Sequence, residues 1–205
     1  IDAAATTPRR PAHRPSRRNS VIEGAMGLFS SFPVEDVTVL DIANAVDMTP
    51  AAVYYHFASK EQILLEGMEA FAEKMLAEMR GHLSAKGDKE GVRSLVAHML
   101  TWVQRHRTAA TVYFVGSVGL NLLVEALRRE TRLEMVALLG EATKAARGKL
   151  MPAEVGVIGV ALVSVLETAA ASALNQDVAY RSMGSRRFVD EVKRLADRVA
   201  GIDPA

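Results

Sequence analysis

Between Thr38 and Gln62 the chain carries three helix-start signatures, and this crowding constrains its fold more than any other feature. Thr38 and Asp41 form a T-x-x-D capping box, in which each side chain can satisfy an orphan amide of the first turn. Thr49 followed by Pro50 offers an N-cap hydroxyl and a proline whose fixed φ suits the first helical position. Ser59 with Gln62 repeats the box. Starts this close together specify two short helices and the opening of a third, with little freedom between them.

Apolar spacing fills in the elements. The segment "SRRNSVIEGAMGLFSSF" places Val21, Ile22, Ala25, Leu28, Phe29 and Phe32 on one helical stripe, and Pro33 ends that helix. Leu40, Ile42, Ala43 and Val46 supply the apolar face of the second helix. "PAAVYYHF" is a short third, and a long fourth runs through Ile63, Leu64, Met68, Phe71, Met75 and Met79. Asp47 falls where the turn between the second and third helices needs left-handed geometry, which Asp adopts less readily than Gly. The polar run from Gly81 to Gly91 reads as a loop, a hinge between a head and a body. Beyond it, Val92, Leu95, Val96, Met99, Leu100 and Val103 line one helix. An apolar and then amphipathic stretch covers 109–149, a helix apolar nearly all round spans 153–174, and "NQDVAYRSMGS" is a loop. Phe188, Val192, Leu195 and Val199 mark a last helix. No strand pattern outlasts four residues. The expected class is all-α, with roughly nine helices counted by periodicity. Residues 1–18 form a basic flexible arm, 19–65 a three-helix helix-turn-helix head, and 66–205 a helical effector-binding and dimerisation body.

A helix, a tight turn and a second short helix can present one helix end to the DNA major groove, whose base edges carry a readable pattern of donors and acceptors. The segment "TVLDIANAVDMTPAAVYYHFASKEQIL" resembles, without a gap, the tetracycline-repressor (TetR) family pattern T-x-x-x-I-A-x-x-A-G-V-S-x-x-x-x-Y-x-H-F-x-x-K-E-x-L. Thr38, Ile42, Ala43, Thr49, Tyr54, His56, Phe57, Lys60 and Glu61 match in kind. The chain departs at Val46 for Ala, at Asp47 for the turn Gly, and at Pro33 for the Gly of the first inter-helix turn. The resemblance implies phosphate contacts from Thr38, Tyr54, His56 and Lys60. It also implies that Pro50, Ala51, Ala52 and Tyr55 face base edges, with Thr49 a further DNA-binding position, while Ile42, Ala43, Val53, Phe57 and Leu64 form the head core. Pro50, Ala51 and Ala52 can touch thymine methyls but cannot bond guanine bidentately, so reading leans on Tyr55, methyl contacts and DNA shape.

Charge is split along the chain, although the net is +1. Arg9, Arg10, Arg14, Arg17 and Arg18 face a single acid, Asp2, before residue 19. From 19 to 60, Glu23, Glu35, Asp36, Asp41 and Asp47 face Lys60 alone. The arm is therefore a candidate nucleic-acid contact through Arg14, Arg17 and Arg18, since an acidic head repels a phosphate backbone at long range.

The family resemblance also implies a two-fold dimer, a palindromic operator and an apolar small-molecule effector. Helix 153–174 is rich in small residues, so it can face its own core and a partner at close range. Ala161, Val165, Ala169, Phe188, Val192 and Leu195 are the dimer candidates. Met68, Phe71, Met75, Met99, Trp102, Tyr113, Phe114 and Met135 offer the aromatic and thioether surface of an effector pocket. His98, Trp102 and His106 lie one turn apart, and the two His are too far apart to share one metal ion. With no cysteine, thiolate metal sites and disulfides are excluded, which is compatible with a reducing cytoplasm. No signal peptide is visible, the start at Ile1 points to native residues upstream, and the apolar run 155–166, interrupted by Glu167, is too short to cross a bilayer. No cofactor is implied. An enzyme lacks its parts here, having no glycine-rich phosphate loop, no H-E-x-x-H and no paired carboxylates in an apolar context. An architectural DNA-binding protein does not need so large an apolar body.

Overall fold

The computed structural model describes residues 16–202. Ten α-helices follow one another among them: α1 (Arg17–Phe29), α2 (Val39–Ala45), α3 (Pro50–His56), α4 (Lys60–Lys86), α5 (Asp88–Arg105), α6 (Arg107–Thr111), α7 (Leu122–Arg147), α8 (Pro152–Asn175), α9 (Val178–Met183) and α10 (Ser185–Ala200). A π-helical turn, Val112–Gly116, continues α6. No strand occurs among the described residues.

The three starts form as their residues dictate. Thr38 and Asp41 close a reciprocal box, Thr49 Oγ1 accepts from the Ala52 amide at 3.2 Å, and Ser59 Oγ accepts from the Gln62 amide at 3.2 Å. Gln62 Oε1 turns back one residue further, onto the Ala58 amide at 2.7 Å. The α2–α3 turn is a Schellman closure: Met48 N donates to Ala43 O at 2.9 Å, with Asp47 at φ 54. Asp47 thus carries the left-handed residue that glycine usually supplies. The departure at Val46 is accommodated from across the head. A Cβ on Gly24 of α1 would stand 2.3 Å from Val46 Cγ1, so the missing side chain at 24 makes room for the extra methyl at 46.

Several expectations need correction. α1 stops at Phe29, and Phe32 is exposed because the chain turns away before Pro33. Leu40 points outward from α2, leaving Ile42 and Ala43 to bury that helix. Gly81 to Gly91 is no loop: α4 continues to Lys86 and α5 begins at Asp88, with Gly87 alone at φ 74 between them. The polarity of that run belongs to solvent-facing turns of two helices. The 109–149 stretch is broken by the π turn and by a link ending at Asn121, whose side chain accepts from the Val124 amide. "NQDVAYRSMGS" encloses the short α9, capped by Asp177.

α7 and α8 form the tightest hairpin. A Cβ on Gly159 would meet Val136 O at 2.3 Å, and one on Gly140 would meet Val155 O at 2.7 Å. Each helix therefore lays its backbone against the other's carbonyls. α8 has 24 residues and is long and apolar enough to cross a membrane by composition. The alanines after Glu167 extend it beyond the run read from sequence. Half of its most apolar window is buried inside the fold, as in a core helix.

Candidate nucleic-acid interface

α1, α2, α3 and the start of α4 bury Val21, Ala25, Phe29, Ile42, Ala43, Val53, Phe57, Ile63 and Leu64. This core turns the other face of α3 outward. Tyr55 is 85% exposed and Tyr54 56%. Thr49 and Ala51 are exposed, Pro50, Ala52 and His56 half-buried. The Tyr55 and His56 rings meet edge-on at 5.1 Å. The structure thus brings Thr49, Pro50, Ala51, Ala52, Tyr54, Tyr55 and His56 onto one short protruding helix.

Three other expected contacts are committed inside the head. Lys60 Nζ donates to Val34 O at 2.6 Å, Val37 O at 2.7 Å and Glu35 O at 3.2 Å. An ammonium has three protons, and here three carbonyls of the loop before α2 take them. Lys60 is thus a strut that holds the loop leading to Thr38. Arg18 lies 4.4 Å over the Phe57 ring and is paired with Glu66, Nη2 donating to Oε1 at 2.7 Å. That hydrogen bond holds the Glu66 carboxyl below its ordinary range. Arg18 therefore straps α1 to α4, although its side chain remains 41% exposed. Thr38 spends both its donors on Asp41: its amide reaches Oδ2 at 2.8 Å and its hydroxyl reaches the same oxygen at 2.5 Å. These bonds lower the Asp41 carboxyl, so the start of α2 already carries an anion where the expected anchor would hold a phosphate. Arg17 is exposed at the first turn of α1, and Arg14 lies outside the described residues. No sequence signal marks the Lys60 cage or Gly24, since both depend on contacts between distant elements.

Lys60→Met is expected to lower stability by about 1–3 kcal/mol, because the part-buried carbonyls of Val34 and Val37 lose their partner. DNA affinity falls with it, but the slope of log K against log salt stays unchanged. A phosphate-bound lysine would instead flatten that slope by about one unit.

With this geometry in place, the sequence model for bacterial regulatory proteins of the tetR family matches residues 21–66. The head of this chain therefore carries the tetR-family sequence signature. It is 26% identical over 99 residues to the HTH-type transcriptional repressor KstR2 of Mycobacterium tuberculosis (strain CDC 1551 / Oshkosh), a span of 48% of this chain and 50% of that protein. The chain thus spans about half the length of the curated relatives it matches. Among solved structures, the fatty acid degradation regulator FadR of Bacillus halodurans superposes with a TM-score of 0.74 at 15% identity, covering 93% of this chain and 98% of that one. FadR of Bacillus subtilis, solved in complex with stearoyl-CoA, superposes with a TM-score of 0.73 at 14% identity, covering 90% and 99%. At these identities the likeness is one of fold, and it extends the tetR-family architecture from the head through the helical body.

The helical body gathers the other candidate residues into two places. Phe71 is central to an aromatic cluster, its ring 5.4 Å from Trp102, 5.3 Å from Tyr113 and 6.1 Å from Phe114. Met68, Met75, Met99 and Met135 are fully buried in the same core. Arg128 lies 5.2 Å over the Tyr113 ring, and the π turn carrying Tyr113 and Phe114 abuts the head, where a Cβ on Gly116 would stand 3.5 Å from Phe29 O. The second place is a groove of about 480 Å³ between α8 and α10, lined by Val165, Ala169, Phe188, Val192 and Leu195 with Ser164, Thr168 and Ser172. Ala161 is not part of it. Ala169 and Phe188 are buried within one protomer and form the floor, while Leu195 is exposed and Val165 and Val192 half-buried at the rim.

Proposed function

We propose that this chain is a sequence-specific DNA-binding transcriptional regulator that acts as a two-fold dimer and is released by an apolar small molecule. The observation that carries the reading is the solvent-exposed face of α3, from Thr49 to Tyr55, held out by a closed three-helix core in a tetR-family head. Pro50, Ala51 and Ala52 suit methyl contacts in a major groove, and Tyr55 supplies the one long polar reach among the base-facing positions. Phosphate contacts fall to Tyr54, His56 and Arg17, with Thr38, Lys60 and Arg18 shaping the surface rather than touching DNA. Arg14 and the arginines before it supply long-range attraction to offset the acids of the head. Two heads on a two-fold axis would read a palindrome, and the α8–α10 groove is the surface through which they would pair. The aromatic cluster around Phe71 is the candidate effector site. It joins α4, the helix that begins in the head, to the π turn that abuts α1. The fold it shares with FadR of Bacillus subtilis, solved with stearoyl-CoA, makes long-chain acyl-CoA the first class to screen for release of DNA.

The test is competition binding of full-length protein to duplexes differing at single base pairs. Tyr55→Ala should narrow the gap between preferred and altered duplexes by about 1–3 kcal/mol, with an unchanged salt slope. A uniform loss on all duplexes would remove Tyr55 from base reading.

A further inference from the structure

Outside the aromatic cluster, α4 and α5 enclose a surface groove of about 420 Å³, lined by Lys74, Ala77, Glu78, Gly81, His82, Trp102 and His106. Two near-parallel ring pairs border it. His82 stacks on His98 with centroids 4.2 Å apart, and Trp102 stacks on His106 at 4.1 Å. Most of its polar groups already have partners. His98 Nε2 and Glu78 Oε1 are 2.6 Å apart, His82 Nε2 and Ser94 Oγ 2.8 Å, and His106 Nδ1 and Trp102 O 3.0 Å. Lys74 differs: it is exposed and makes no hydrogen bond or ion pair among the described residues, although Glu78 lies one turn further along the same helix. The acid is drawn across to α5 by His98 instead. A Cβ on Gly81 would meet nothing within 4 Å, so the floor between the two ring pairs is open.

The groove thus offers a planar wall, an open floor and one uncommitted cation. His106 is exposed, and its outer face is free to extend the stack that begins on Trp102. We propose that this groove binds a flat aromatic molecule bearing a carboxylate, with its ring laid on the His106–Trp102 stack and its carboxylate on Lys74. Ring stacking supplies orientation, and a charge-assisted bond to Lys74 distinguishes the anion from its neutral analogue. The groove opens on the surface beside the apolar cluster proposed for the effector and meets it only at Trp102. Trp102 is shared between the two, since its ring also lies against Phe71, and α4 runs unbroken from Lys60 in the head past Lys74.

Trp102 is the only tryptophan in the chain, so its fluorescence reports on this wall directly. Full-length protein is titrated with phenylacetate and with 2-naphthoate, each against its neutral amide, following tryptophan emission and calorimetric heat. A saturable response to at least one carboxylate is expected. The matching amide and the Lys74→Met variant should each bind roughly tenfold more weakly, as expected for loss of a charge-assisted bond. Lys144→Met, which removes a lysine paired with Glu141 on α7, should bind as the parent does. No saturable response to either carboxylate, or equal affinity for acid and amide, or equal affinity in Lys74→Met, would overturn the assignment.

Discussion

Gly159→Ala is expected to destabilise the protein by about 1–3 kcal/mol, an unusually large effect for a single methyl group placed in a helix. The cause is local. The new Cβ would stand 2.3 Å from Val136 O and 3.1 Å from its carbonyl carbon. These are backbone atoms of α7, which cannot swing aside as the end of a flexible side chain can. α7 and α8 must separate there, and the neighbouring close approach at Gly140, 2.7 Å from Val155 O, would open with them. Gly156, one turn earlier on α8, is the internal control. A Cβ there meets nothing within 4 Å, so Gly156→Ala should gain about 0.5–1 kcal/mol from helix propensity alone. Urea denaturation of the two variants should move the midpoint in opposite directions. If Gly159→Ala proves as stable as Gly156→Ala, the close hairpin is wrong.

The second large effect is expected from Leu195→Glu. Leu195 is 43% exposed on the rim of the α8–α10 groove, so one protomer folds without needing it. Across a two-fold axis the substitution is present twice, and each carboxylate must be desolvated without a partner. The variant should be monomeric by light scattering, with the helical circular dichroism of the parent. Its affinity for a two-half-site DNA should fall by roughly 10²–10⁴, the factor that linkage of two weak heads contributes. Val165→Glu should act in the same direction. Ala169 and Phe188 are poor choices for the same test, because each is buried inside the protomer and its replacement would damage the fold first. Persistence of the dimer in both rim variants would place the interface elsewhere.

Local chemistry was the legible part of this chain. The caps at Thr38, Thr49 and Ser59 depend on residues three or four apart, so spacing alone located α2, α3 and α4. The outward face of α3, and Val53 and Phe57 as its inward residues, followed from the family resemblance rather than from spacing. What stayed hidden lay where a local pattern met a tertiary partner. Lys60 and Arg18 read as DNA contacts, and their partners inside the head, the carbonyls of Val34 and Val37 and the Glu66 carboxylate, were not legible because they are distant in sequence. Gly81 to Gly91 read as a loop because two solvent-facing helix turns are as polar as a linker, and only Gly87 breaks the backbone. The sequence placed His98 and His106 two turns apart on one helix. What could not be read was that His82, from another helix, would stack on one of them and help to shape a groove. Gly24 likewise explains Val46 only after α1 and α2 are set side by side.

The central claim is that paired heads read DNA through the exposed face of α3. Its most direct measurement is selection of full-length protein against random duplex DNA, followed by footprinting of the enriched sequence. The expected result is an inverted repeat whose half-sites lie about 34–36 Å apart along the helix, or a multiple of that spacing, with protection centred on major grooves. Enrichment of no sequence, or of a single asymmetric site bound equally well by Leu195→Glu, would contradict it.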